Sequence, residues 1–105
     1  MDNINVDQLH DLLPDLGDND LILDVRSKDE FDEGHIKGAR NMPHEEVRLI
    51  ADELSSHTKV YVHCKMGGRA KAAAEDLVGS GLANIVCVSK GGMHRWAEMG
   101  WPVEK

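Results

Sequence analysis

Three short apolar runs constrain this chain more than any other feature: Leu21-Ile22-Leu23-Asp24-Val25, Lys59-Val60-Tyr61-Val62-His63 and Asn84-Ile85-Val86-Cys87-Val88. Each has the length and apolar content of a strand. The stretches between them are long enough to hold helices, whereas antiparallel neighbours could be joined by a tight turn. Strands separated by such crossovers are most simply parallel, which makes the chain an α/β layer sandwich. Two weaker strand candidates lie around Ile4 and from Ala39 to Met42.

The helical stretches carry start and stop signals. Asn5 with Gln8 is a capping pair that opens a helix through Leu13, ended by Pro14. Ser27-Lys28-Asp29-Glu30 has the spacing of a capping box and opens a brief helix stopped by Gly34. From Glu45 to Leu54, a helix would place Val47, Ile50, Ala51 and Leu54 on one face. The strongest pattern runs from about Gly68 to Val78, with Ala70, Ala73, Ala74 and Leu77 at helical spacing and Gly79 and Gly81 behind it. A last short helix follows Gly91-Gly92, carries Trp96 and ends near Gly100. With 105 residues and no linker, repeat or low-complexity tract, positions 1–105 read as one domain.

Charge and cysteine usage exclude several roles. A net charge of -7 argues against binding long nucleic acid, which calls for a basic face that displaces counterions from phosphates. Lysines and arginines form no amphipathic basic stripe, and no apolar run approaches the length of a membrane span, so no membrane role is expected. The opening MDNINVDQLH lacks the basic start and apolar stretch of a secretory signal, and a cytoplasmic location is the expectation. Cys64 and Cys87 are too few for a disulfide scaffold, and no Cys-x-x-Cys or paired-histidine spacing suggests a metal.

The chemistry is concentrated in Val62-His63-Cys64-Lys65-Met66-Gly67-Gly68-Arg69-Ala70. A cysteine ends a buried strand, a glycine-bearing loop follows, and a helix begins. In open α/β sheets ligands bind beyond the carboxyl ends of the strands. Gly67 and Gly68 let the backbone curl and turn several N–H groups inward, and the positive end of the helix dipole adds to that anion cradle. The dipole, the amides and the cations Lys65 and Arg69 all favour ionised sulfur at Cys64, the form that acts as a nucleophile. The competing reading is a strand-to-helix turn whose cysteine merely packs. Four residues separate Cys64 from Arg69. The cysteine phosphatases have a loop one residue longer, which encloses a phosphoryl group; this tighter ring suits a single sulfur atom on the cysteine.

Several segments together resemble a single-domain rhodanese, the thiosulfate sulfurtransferase family. They are Leu21-Ile22-Leu23-Asp24-Val25-Arg26, the stretch Glu30-Phe31-Asp32-Glu33-Gly34-His35-Ile36-Lys37-Gly38-Ala39-Arg40-Asn41-Met42-Pro43, the Cys-x-x-Gly-x-Arg loop from Cys64 to Arg69, and the tail from Gly91-Gly92 through Trp96 to Gly100-Trp101-Pro102-Val103. They cover nearly the whole chain in the family's order. Ala70 departs from the pattern, since many relatives carry Ser or Thr there.

The resemblance implies a three-layer sandwich with a central, mostly parallel five-stranded sheet flanked by helices. It also implies a double displacement: Cys64 takes the outer sulfur of thiosulfate or a similar small anionic donor, sulfite leaves, and cyanide or a thiol then removes the sulfur. A thioredoxin-like protein is among the acceptors to consider. The backbone amides of Lys65, Met66, Gly67, Gly68 and Arg69 would stabilise the persulfide, and Arg69 with Lys65 would hold the sulfonate end. No metal or organic cofactor is implied. The alternatives are a non-catalytic binding or sensing module, and a cysteine phosphatase or arsenate reductase. The sulfurtransferase reading expects Cys64 to be open to water with donors turned toward it.

Other residues divide between function and structure. Asp24 and Arg26 end the first strand on the same side of the sheet as Cys64; Asp24 could orient the loop through Arg69 and Arg26 could help hold an anion, but a structural ion pair is the favoured reading. His35 fits a hydrogen bond to a nearby backbone carbonyl. His63 points to the face opposite Cys64 and is poorly placed as its base. His10, His44 and His57 read as solvated, and His94 as a residue near the site's mouth. Cys87 fits inert packing, Trp96 and Trp101 fit the packing of the last helix, and Asp29, Glu30, Asp32 and Glu33 read as a solvated helix face.

Overall fold

In the computed structural model, which covers residues 1–105, the three apolar runs form the centre of a five-stranded sheet. The strands are β1 (Asp2–Asn5), β2 (Leu21–Asp24), β3 (Arg40–Asn41), β4 (Val60–His63) and β5 (Ile85–Lys90), in the order β1-β5-β4-β2-β3. Every neighbouring pair is parallel. β4 has a partner on both sides and all four of its residues are buried. The two weaker candidates are the sheet edges: β1 is a mostly exposed Asp-Asn-Ile-Asn and β3 has only two residues, which is why neither gives a strong apolar signal.

Strand alternation sends side chains into two separate cores. On one face Leu23, Val25, Val60, Val62 and Cys64 pack with Ala70, Ala73, Ala74 and Leu77 of α4 (Gly68–Gly79) and with Val47, Ile50 and Leu54. On the other, Ile22, Tyr61, Val86 and Val88 meet Val6 and Leu9 of α1 (Val6–Leu12) and Met93 and Trp96 of α5 (Met93–Glu98). Helices therefore cover both faces of the sheet in three layers. The alanine face of α4 is wholly buried, so this helix lies close against the sheet. Truncating the fully buried Leu77 to Ala would cost about 2–5 kcal/mol.

Both capping boxes form. Asn5 and Gln8 exchange hydrogen bonds of 2.8 Å each at the start of α1. Ser27 and Glu30 do the same at 3.2 Å in each direction at the start of α2 (Lys28–Glu33), which Gly34 ends. After α1 the chain tightens into a 3-10 turn over Leu13–Asp15, with Pro14 near its start.

The expected helix from Glu45 to Leu54 is two pieces: a 3-10 segment over His44–Ile50, then the short α3 (Ala51–Leu54). Pro43 fixes the entry, and the Glu46 N–H donates to the Pro43 carbonyl at 2.8 Å, a three-residue step that sets the tighter winding. The apolar face is nonetheless as expected, with Val47, Ile50, Ala51 and Leu54 all buried. His10 is a second departure. It stacks on Trp101 with ring centroids 3.8 Å apart and nearly parallel planes, edge-on to Trp96, so it belongs to the aromatic cluster that closes the second core rather than to solvated surface.

Candidate functional site

Cys64 follows directly on β4 and the loop Cys64–Gly67 runs straight into α4. Gly67 takes φ +117°, a left-handed conformation, and a Cβ there would run into the Ser89 carbonyl oxygen at the end of β5. Only glycine fits that corner. Gly68 begins the helix with ordinary backbone and open space around it, so the expected curl rests on one of the two glycines.

The Cys64 sulfur accepts the Gly67 N–H at 3.1 Å and the Ala70 N–H at 3.3 Å. Of the five amides expected around it, Gly67's alone reaches it in the resting protein. Ala70's is the second donor, and side-chain chemistry gives no sign of it because a backbone N–H is present whatever the residue. The amides of Lys65, Met66, Gly68 and Arg69 donate to no acceptor in the protein. The loop carbonyls explain part of this. Cys64 and Lys65 turn their C=O groups to the start of α5, accepting the Met93 N–H at 2.9 Å and the His94 N–H at 3.1 Å. Because each trans peptide points its N–H opposite to its C=O, the Lys65 and Met66 N–H groups face away from α5.

The turn is thus not splayed, but the sulfur is not open to water either: Cys64 is 1% exposed. Its side chain follows Val60 and Val62 onto the α4 core, and Gly92 and Met93 press on its carbonyl from the other side.

Arg69 makes a two-pronged ion pair with Glu30 of α2, Nη1 to Oε1 at 2.6 Å and Nη2 to Oε2 at 3.0 Å. This bond holds the Glu30 carboxyl down at about 2 against burial, with Ser27 helping, and raises the Arg69 guanidinium further above its ordinary value. Glu30 was expected among solvated acids, and it is instead the partner of the loop arginine. The capping box and the ion pair use the same carboxylate, so α2 is tied to the first turn of α4 through one side chain.

Asp24 and Arg26 form the expected structural pair, with Asp24 fully buried and Arg26 6% exposed. The Arg26 Nη2 donates to Asp24 Oδ2 at 2.7 Å and to the Gly34 carbonyl at 2.8 Å, and the Arg26 backbone N–H donates to Asp24 Oδ1 at 3.0 Å. Asp24 therefore does not act through Arg69. It shares the strand-end level of Cys64 but lies on the other face: its register partner is His63, whose Nε2 is 3.9 Å from Asp24 Oδ2. His63 is fully buried and points away from Cys64 as alternation requires.

His35 meets the Phe31 carbonyl at 2.9 Å, as expected, and stacks on the Phe31 ring. Cys87 is buried in β5, and burial pushes its thiol up. Trp96 is core, its indole N–H donating to the Pro102 carbonyl at 2.9 Å. Lys65 and Met66 of the loop and His94 beside it are exposed, and Lys65 and His94 line one cavity with Arg26, Glu30, Glu33 and Met93.

Comparison with known proteins matches residues 5–99 to the model of the rhodanese-like domain. YqhL of Bacillus subtilis is 36% identical over 75 residues, 71% of this chain and 59% of that protein, so the chain spans less than two thirds of that relative. The chloroplastic thiosulfate sulfurtransferase 16 of Arabidopsis thaliana is 32% identical over 94 residues, covering 78% of each. Among solved structures, a rhodanese-related protein from Thermoplasma volcanium superposes with a TM-score of 0.79 at 34% identity over 99% of this chain and 98% of that one. That structure and a Staphylococcus saprophyticus protein, SSP1007, at TM-score 0.83 and 29% identity, share the parallel sheet flanked by helices.

Proposed function

The chain belongs to the rhodanese-like domain family, and from that premise we propose that it is a sulfurtransferase carrying sulfane sulfur on Cys64. The observation that supports this most is the pair of backbone N–H groups that meet the Cys64 sulfur at the start of α4. Such donors stabilise negative charge on sulfur wherever it resides, on the thiolate before transfer and on the persulfide after it. The unpaired amides of the same loop supply further donors for a second sulfur atom.

In the proposed reaction the Cys64 thiolate bonds to the outer sulfur of thiosulfate. The sulfur–sulfur bond of the donor breaks, and sulfite leaves with the electron pair. Cyanide or a thiol then bonds to the terminal sulfur, and the Cys64 thiolate returns as leaving group. Lys65, exposed and without an ion pair, is the cation available to meet the donor's anionic end. A cysteine phosphatase would have to fit a bulkier group inside a loop with only four residues between Cys64 and Arg69.

Intact-mass measurement after thiosulfate treatment tests the reading. One added sulfur atom is expected on the wild type and on Cys87→Ser, and none on Cys64→Ser. Cyanide should remove that atom as thiocyanate. A Cys64→Ser protein that gains sulfur, or a wild type that gains none from thiosulfate or from any other sulfane-sulfur donor, overturns the proposal.

A further inference from the structure

The arginine best placed to hold an anionic donor is already occupied. Glu30 takes both terminal nitrogens of Arg69. Arg26 is occupied as well, by Asp24 and the Gly34 carbonyl. Between these pairs lies a cavity of about 230 Å³ lined by Arg26, Glu30, Glu33, Lys65, Met93 and His94. Its fixed charges, with the two partners Asp24 and Arg69 included, are three cations and three carboxylates, and Glu33 like Lys65 has no ion-pair partner. The cavity beside the loop therefore carries no net positive charge to attract a dianion, and any donor that uses Arg69 must compete with a carboxylate already held by two charge-assisted bonds.

We propose that Glu30 determines donor specificity: its carboxylate competes for Arg69 and biases the protein against dianionic donors such as thiosulfate and toward alkyl hydropersulfides, which carry at most one negative charge. The inference rests on the reading of Cys64 as the sulfur carrier. With a hydropersulfide, the Cys64 thiolate bonds to the outer sulfur, which keeps its proton. The sulfur–sulfur bond of the donor breaks and the alkyl thiolate leaves with the electron pair, so Cys64 gains one sulfur from either donor, as a protonated persulfide here and as the persulfide anion from thiosulfate.

The test compares sulfur loading of Cys64 by thiosulfate and by 2-hydroxyethyl hydropersulfide, followed by intact mass under single-turnover conditions. Glutamine can still close the capping box on Ser27, so Glu30→Gln removes the charge while keeping the helix start. The ratio of the thiosulfate rate constant to the hydropersulfide rate constant is expected to rise roughly tenfold in Glu30→Gln, from the loss of one competing charge at the entrance. The rise should shrink in high salt. It should be much smaller when the same change is made in an Arg69→Gln background, because most of the competition runs through that guanidinium and only the through-space charge effect remains. A ratio unmoved by Glu30→Gln, or an equal rise without Arg69, overturns the inference alone. Failure of the wild type to load from either donor overturns the sulfurtransferase reading, and this inference with it.

Discussion

Gly92 sits with its α-carbon directly against the Cys64 carbonyl, so a Cβ at that position would overlap the Cys64 oxygen and press on the Lys65 carbonyl. Its φ of +145° is also one that other residues rarely adopt. The next two residues donate their N–H groups to the same two carbonyls, which is what turns the loop's peptide planes. Gly92→Ala is expected to lose about 2 kcal/mol or more of stability through clash and backbone strain. Sulfur loading of Cys64 should fall with it. Thermal unfolding and intact mass measure the two effects, and a variant that is stable yet loads normally contradicts this account of the loop.

Arg26 is expected to matter for folding more than for chemistry. Its guanidinium is the ionic partner of Asp24, which is fully buried, and removing it leaves a carboxylate with no compensating charge in the interior. Arg26→Met should therefore destabilise the protein by about 3–5 kcal/mol in urea titration. A loss below about 1 kcal/mol, the level of an exposed pair, would show that water reaches Asp24 after all.

What the sequence made readable follows from local rules. Strand parity alone separates Cys64 from His63, and the three central strands are buried on both faces, which leaves continuous apolar runs. The capping boxes at Asn5 and Ser27 close within three residues and so show directly in the order of side chains. Other features depend on distance in space. Glu30 and Arg69 lie 39 positions apart, and an acid inside Asp29-Glu30-Phe31-Asp32-Glu33 looks the same whether it faces water or a guanidinium. His10 meets Trp101 from the opposite end of the chain. The burial of Cys64 was equally hidden, because it depends on how closely the alanine face of α4 packs on the strand end, and no pattern in Cys64–Arg69 encodes that closeness.

The Arg69–Glu30 bond should survive strongly acid conditions. Glu30 titrates at about 2 instead of its ordinary 4.5, chiefly because of Arg69. A carboxyl lowered in the fold adds stability that is fully present above its unfolded value, near 4.3, and is lost as pH falls through the folded value. Carbon-detected NMR of the Glu30 side chain should accordingly show a midpoint near 2 in the wild type, moving up toward the ordinary range in Arg69→Gln. A wild-type midpoint above 4 would mean that the pair does not persist in solution.

His63 should set the first step of acid destabilisation. Burial lowers its pKa most, Arg26 adds to that, and Asp24 and the Cys64 backbone oppose it. The folded protein therefore keeps this imidazole neutral below about pH 6.5, where the unfolded chain already binds a proton. Since the unfolded state takes up more protons, stability falls as pH drops through that region, by up to about 1.4 kcal/mol per pH unit for one group. The loss begins near pH 6.5 and runs down toward the lowered folded value, so it starts above the range where carboxylates titrate. Urea midpoints of wild type and His63→Leu across that window should diverge, with the wild type losing stability on acidification and the variant nearly flat. Parallel slopes would assign the acid sensitivity to some other group.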